Sequence, residues 1–377
     1  MNGVEAKLAQ ALHEVASAYR PAHAGRAQES FVLRRRRRRA ARVVAAAGGL
    51  AVVVTLAALG PNFVASDVPV QGDPGVPPGD IAFGESIPVG TAPLDVSVGR
   101  DAVLVAHAEG EKVFVVDPDR REVRMRIPSG GTERGPTSIA LGNGRLFGVD
   151  AATARLTSYD QQSGLALHEV GIGPQPTDIA FGALSVWVAS SDPDGPADAY
   201  VVSRYDATSL ELVGRFDVPA IARLEYGYGH LWAATSRGLY RLDPHSGRVV
   251  RVGRVESVSD ASAGFGSVWA YATPGGGGFE GAVVKIAPDT ARVLGRTPVR
   301  GFFGNVEAHE GTGLWVLSSV QEYVRRLHRL DPRDGRPLGE PLRVEGGLVE
   351  IAPGLGGLWL TDEARSRLRL VEVRPAR

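Results

Sequence analysis

The sequence predicts an all-β protein. It is read as a seven-bladed β-propeller whose N-terminal strand closes the last blade, preceded by a transmembrane helix and a short cytoplasmic amphipathic helix. Three observations carry this. A glycine followed five residues later by a tryptophan or another large apolar residue recurs along the chain at spacings of 37 to 46 residues. An uncharged apolar stretch follows directly on six consecutive arginines. Gly and Pro number 48 and 25 of 377 residues, a composition that suits many tight turns better than long helices.

The N-terminal elements come first. Val4, Leu8, Leu12 and Val15 recur at helical spacing, so residues 3–19 read as one amphipathic helix that stops before Pro21. Residues 1–42 hold ten basic and three acidic side chains, whereas the whole chain balances at 42 of each. The basic block ends in Arg34 to Arg39. Residues 43–60, VVAAAGGLAVVVTLAALG, are uncharged and nearly long enough to span a bilayer as a helix. The arginine run on their N-terminal side places residues 1–42 in the cytoplasm and the rest outside, at the cell membrane, with the bilayer as a partner. The competing reading is a cleaved signal peptide. It would need a 42-residue basic region, and Pro61 follows its best cleavage site, Ala58-Leu59-Gly60. The position of the arginines against the apolar segment makes them a topology signal, and no nucleic-acid partner is expected. Residues 61–80, with five prolines, form an extended linker.

Residues 81–377 repeat. The marker occurs as GRDAVL (99–104), GNGRLF (142–147), GALSVW (182–187), GYGHLW (227–232), GFGSVW (264–269), EGTGLW (310–315) and GLGGLW (354–359). All five tryptophans stand at its last position. A second marker follows, an apolar strand ending at an acid or a proline, as in FVVDP (114–118), SRYD (203–206) and HRLDP (328–332). With a strand before the glycine and another after the second marker, each repeat holds four strands, the content of a propeller blade. The last repeat supplies RLRLVEV (367–373) as its third strand and no fourth. An orphan strand, IAFGESIPVG (81–90), stands before the first marker. It is expected to become the outer strand of the last blade and close the ring. The tryptophans then pack between sheets as core.

The first repeat, IPVGTAPLDVSVGRDAVLVAHAEGEKVFVVDPDRREV (87–123), resembles the YVTN-type, YncE-like propeller repeat in its Ile-x-Val-Gly tail, the Pro opening the inner strand and the Val-Asp-Pro ending. The motif fades in repeats 4 to 7. Virginiamycin B lyase-like and quinoprotein-type propellers share this style, so the resemblance implies the fold and leaves binding modules and enzymes both open. The first 60 residues, with 39 Arg against 3 Lys in the chain, are similar to single-span leaders of high-GC actinobacterial membrane proteins, some linked to sigma-factor regulation.

In a propeller the innermost strands line a central channel. Counting back from each marker puts Asp95, Ser138, Asp178, Arg223, Asp260 and Glu350 at equivalent positions at one channel mouth. Repeat 6 gives Val306, or Asn305 if its turn is one residue longer. Asp95, Asp178, Asp260 and Glu350 are candidate ligands for Ca²⁺ or Mg²⁺, which take oxygen donors. With Arg223 and His107 they also make a candidate ligand-binding set. The competing reading is a structural ring bonded to neighbouring backbone. The 190–200 and 273–282 insertions fall on the same face as the ring, a place for partner binding.

Catalytic signals are sparse. Zero cysteines exclude a disulfide framework, a thiolate metal site and a cysteine nucleophile. The eight histidines form no close pair and no HExxH, and no GxSxG occurs. GGGG at 275–278 lacks the lysine and helix of a phosphate loop. No catalytic residue is assigned. The expected function is a membrane-anchored extracytoplasmic module that binds a ligand or protein, with the 3–19 helix free to meet a cytoplasmic regulatory protein. The alternative is an extracytoplasmic metal-dependent enzyme of the lyase or quinoprotein type, working at the channel mouth.

Overall fold

The computed structural model describes residues 79–377 apart from 108–111, 129–136, 197–198, 275–279, 322–323, 346 and 376–377. The cytoplasmic helix, the transmembrane segment and nearly all of the linker lie outside the described residues. Among those described, no helix is long and apolar enough to cross a membrane.

The orphan strand is β1 (Gly79–Pro88). Blade 1 holds β2 (Pro93–Val98), β3 (Val103–His107), β4 (Lys112–Asp117) and β5 (Glu122–Pro128). Blade 2 holds β6 (Ser138–Gly142), β7 (Arg145–Asp150), β8 (Arg155–Asp160) and β9 (Ala166–Gly171). Blade 3 holds β10 (Asp178–Gly182), β11 (Ser185–Ser191), β12 (Tyr200–Asp206) and β13 (Leu212–Val218). Blade 4 holds β14 (Ala222–Gly227), β15 (His230–Thr235), β16 (Gly238–Leu242) and β17 (Val249–Arg251). Blade 5 holds β18 (Val258–Gly264), β19 (Ser267–Ala272), β20 (Ala282–Ala287) and β21 (Arg292–Pro298). Blade 6 holds β22 (Phe303–His309), β23 (Gly313–Gln321), β24 (Val324–Leu330) and β25 (Leu342–Glu345). Blade 7 holds β26 (Leu348–Gly354), β27 (Gly357–Asp362) and β28 (Arg367–Pro375). The described residues thus form seven four-stranded antiparallel meanders, and in the last the order is β1-β28-β27-β26. The chain's first described strand therefore closes its last blade, as expected.

The glycine marker is the inner hairpin of each blade. In GNGRLF, GYGHLW, GFGSVW and GLGGLW the two turn residues both have positive φ, as at Asn143 (53°) and Gly144 (70°). Two left-handed residues make the tight turn whose twist matches the flanking strands. The marker's first glycine answers a different need. A Cβ on Gly182 would lie 2.0 Å from the ring of Tyr226 in the next blade. The tryptophan then folds back on its own turn. The Nε1 groups of Trp187, Trp232, Trp269 and Trp359 donate to the carbonyls of Gly182, Gly227, Gly264 and Gly354 at 3.1–3.2 Å.

Blade 6 departs from this. Glu310 replaces the glycine and the turn runs one residue longer, since β22 ends at His309 and β23 begins at Gly313. Trp315 Nε1 is buried without a hydrogen-bond partner.

The second marker is also explained. Asp117, Asp160, Asp206 and Asp243 each accept the amide N–H groups two and three residues on, as in Asp206 Oδ1 with Thr208 and Ser209. These bonds mimic a backbone turn and hold the carboxylates below their usual range.

The core lies between blades, in clusters shared by neighbours. One joins Ile87, Trp359 and Leu368 of blade 7 to Val96 and Val105 of blade 1, so closure is made by packing as well as by β1. Cations on the third strands add polar stitches. Arg204 lies 5.1 Å over the Trp187 ring and donates to the Pro244 carbonyl of the next blade at 2.7 Å. Lys285 lies 5.0 Å over Trp269 and donates to Pro332 and Arg333 carbonyls at 3.0 and 2.7 Å.

Candidate functional site: the channel mouth

The inner strand of every blade is an edge strand, so alternate backbone N–H groups face the channel without a ladder partner. The polar ring meets this need. Asp95 Oδ2 accepts from Ile139 N of the next blade at 2.8 Å, Asp178 Oδ2 from Leu224 N at 2.6 Å, and Asp260 Oδ2 from Val306 N at 2.9 Å. One level deeper, Glu225 accepts from Ala263 N at 2.9 Å, and Ser262 Oγ from Ala308 N at 3.1 Å. Carboxylates at a fixed strand position thus serve as blade-to-blade ties.

Asn305, not Val306, is the blade 6 member. Its Nδ2 donates to Glu350 Oε1 at 2.9 Å, while Val306 offers its backbone to Asp260. The extra turn residue in blade 6 accounts for the shift.

Arg223 breaks the pattern, because a guanidinium cannot accept an N–H. It extends from blade 4 to blade 7, three blades round the ring, where Nη1 lies 3.5 Å from Glu350 Oε2. That is ion-pair distance without hydrogen-bond geometry, and both Nη atoms lack a hydrogen-bond partner. Phe303 lies under the guanidinium at 6.0 Å. Arg223 therefore reaches across the ring. Asp95, Asp178 and Glu350 are fully buried and Asp260 nearly so.

Burial dominates the electrostatics. It raises Asp95, Glu225, Glu307 and Glu350 well above the usual carboxyl range, Asp178 to about 8 and Asp260 to about 6. Arg223 pulls Asp178, Asp260 and Glu350 back down, though not far enough. Burial works against the charge on Arg223 itself, but Glu350, Asp260, Asp178 and Asp95 outweigh it and keep the guanidinium protonated.

Among the described residues no three His, Cys, Asp or Glu side chains lie together so as to hold one metal ion. Asp95, Asp178 and Asp260 each hold an amide of the next blade, and Glu350 holds Asn305 and faces Arg223. His107 lies at the ring end of blade 1, paired with Pro93. Its ring, however, is buried on Phe114 at 4.5 Å, with Nε2 2.5 Å from the Val89 carbonyl. It secures the segment leading from the closing strand into blade 1. Sequence reasoning missed Glu225 and Glu307, although each stands two residues beyond a ring position and so on the same side of its strand.

What the ring end leaves open is its rim. The connections 192–199 and 273–281 join second to third strands at this end, because Asp178 pairs with Ala189 and Val258 with Ala272. The strand ends that flank both insertions therefore lie on the ring face.

No protein-family model matches this chain, and no curated protein matches it. Solved structures do. The Kuenenia stuttgartiensis hydrazine synthase matches with 16% identity over 83% of this chain and 99% of that one, TM-score 0.57. The β-propeller domain of Cps50 (Swd1) from Myceliophteria thermophila matches with 13% identity over 78% and 100%, TM-score 0.58. The RRP9 WD40 repeats match with 14% identity over 79% and 99%, TM-score 0.59. At such identities the likeness is one of fold: this chain is a seven-bladed β-propeller.

Proposed function

We propose that the protein is a membrane-tethered extracytoplasmic binding module that recognises a protein through the ring-side face of its propeller. The repeats are of YVTN style, the tether is the 43–60 segment behind Arg34 to Arg39, and the 3–19 helix is available to a cytoplasmic regulator. One observation carries the binding reading. The strand ends joined by the two long connections, at Ser191 and Tyr200 and at Ala272 and Ala282, lie on the same face as Arg223 and the buried carboxyls. A ring of packed blades carrying long connections on one face presents a surface to a partner.

Site-specific photo-crosslinking in the native cell tests this. A crosslinker at Asp194, on the ring face, gives a discrete protein adduct that deletion of 192–199 abolishes. One at Arg248, an exposed turn position at the other end, gives none. Equal labelling at both positions, or at neither, overturns the surface assignment. Protease treatment of cells with an opened envelope tests the topology: the propeller is cut while an N-terminal tag stays protected, and protection of both overturns the anchor.

A further inference from the structure

Arg365 in the turn before β28, and Arg367 and Arg369 at its start, form a run that neither the channel nor the ring-side loops explain. In the fold these arginines meet Arg343 of blade 6 and Phe83 and Ser86 of β1 around an open pocket of about 740 Å³. Four of the six lining residues are arginines and none is acidic.

Asp362, fully buried, serves two of them, with Oδ2 3.1 Å from Arg365 Nη1 and 4.0 Å from Arg369 Nη1. Arg367 donates to a neutral hydroxyl, Ser86 Oγ, at 2.6 Å. Arg369 lies 3.7 Å over the Phe83 ring, which fixes its plane. Its neighbours work against its charge: burial and Arg365 oppose protonation, and only Asp362 favours it. The pocket therefore gathers planar, oriented donors on a lining that holds four arginines and no acid. Guanidinium forks match tetrahedral oxyanions, and such pairs are the strong charge-assisted ones.

We propose that this pocket between blades 6 and 7 binds a phosphate group through Arg365, Arg367 and Arg369. The group can come from a phospholipid headgroup or from a soluble phosphoester. The strand β1 that lines the pocket is the first after the linker, which puts the site at the root of the propeller.

The full chain in uncharged detergent is titrated calorimetrically with pyrophosphate and, separately, with short-chain phosphatidylglycerol in mixed micelles. The expected result is saturable 1:1 binding of at least one of them, weakened at least tenfold in Arg367→Gln with Arg369→Gln. Arg120→Gln with Arg248→Gln, two exposed arginines elsewhere, leaves it unchanged. Binding of the phospholipid alone assigns the headgroup; binding of pyrophosphate assigns a soluble phosphate. A second measurement needs no variant: the better-binding probe protects Arg365, Arg367 and Arg369 of the wild-type chain from phenylglyoxal and leaves Arg120 and Arg248 reactive. No saturable binding, binding indifferent to the double variant, or protection of all arginines alike overturns the site.

Discussion

Arg223 shows how one side chain can set the behaviour of a whole channel. It is the single cation in a ring of buried acids, and burial raises the pKa of each of those acids. A carboxyl whose pKa rises on folding stabilises the fold fully below its unfolded value, near 3.8 for Asp178 and Asp260. That stability drains away as pH climbs through the folded values, about 6 for Asp260 and about 8 for Asp178. The turn aspartates, whose pKa values are lowered, act only at acid pH and leave this window clear. Unfolding free energy should therefore fall as pH rises from about 5 to about 8. Asp178→Asn should remove about one proton of that linkage. Chemical denaturation at a series of pH values measures it, and a flat profile for the wild type refutes it. Arg223→Met should cost about 3–5 kcal/mol where the acids are ionised, because it strands buried charge. The cost should shrink as pH falls and the ring becomes neutral. An equal cost at both ends of the range would mean that Arg223 acts by packing alone.

The inner hairpin is the unit in which this protein is written. Its glycine makes room for the next blade, its turn residues take left-handed φ, and its tryptophan caps the glycine carbonyl. Blade 6 offers a natural control, since Glu310 breaks the marker and Trp315 Nε1 is left without a partner. Trp315→Phe should therefore cost about 1 kcal/mol less than Trp232→Phe, which forfeits a buried hydrogen bond. Thermal melts of the two variants decide the matter, and equal losses would show that the indole bond contributes nothing. The strands between these hairpins were legible because alternation and the Asp-Pro endings are local. The third-strand cations were not, because Arg204 and Lys285 act on carbonyls of the following blade, about forty residues on.

Closure is the property of the whole ring. β1 pairs with β28 along its length, with a break in register between Phe83 and Ser86. Ile87, nearly fully buried, ties this strand into the cluster shared with blade 1. Ile87→Asp should cost about 3 kcal/mol or more, since it loses apolar burial and buries a charge. Leu167→Asp, at a 42% exposed position on the outer strand of blade 2, should cost little. Denaturant midpoints compare them directly. Similar small losses would mean that the ring holds shut without its N-terminal strand.

By itself the sequence determined the blade count, the strand content of each repeat and the closure by β1. These follow from periodicity, turn chemistry and an unmatched strand at each end, all of which are local or countable. It also placed Asp95, Asp178, Arg223, Asp260 and Glu350 at one level of the channel, because equivalent repeat positions occupy equivalent places. What those residues do there was decided only in three dimensions. Whether a carboxylate meets a cation or a neighbouring N–H depends on which atom stands opposite, and that atom belongs to another blade. The same holds for His107, drawn away by Val89 and Phe114, and for the arginine pocket. That pocket gathers Phe83, Arg343 and Arg369 from strands nearly three hundred residues apart in the chain and adjacent only because the ring closes.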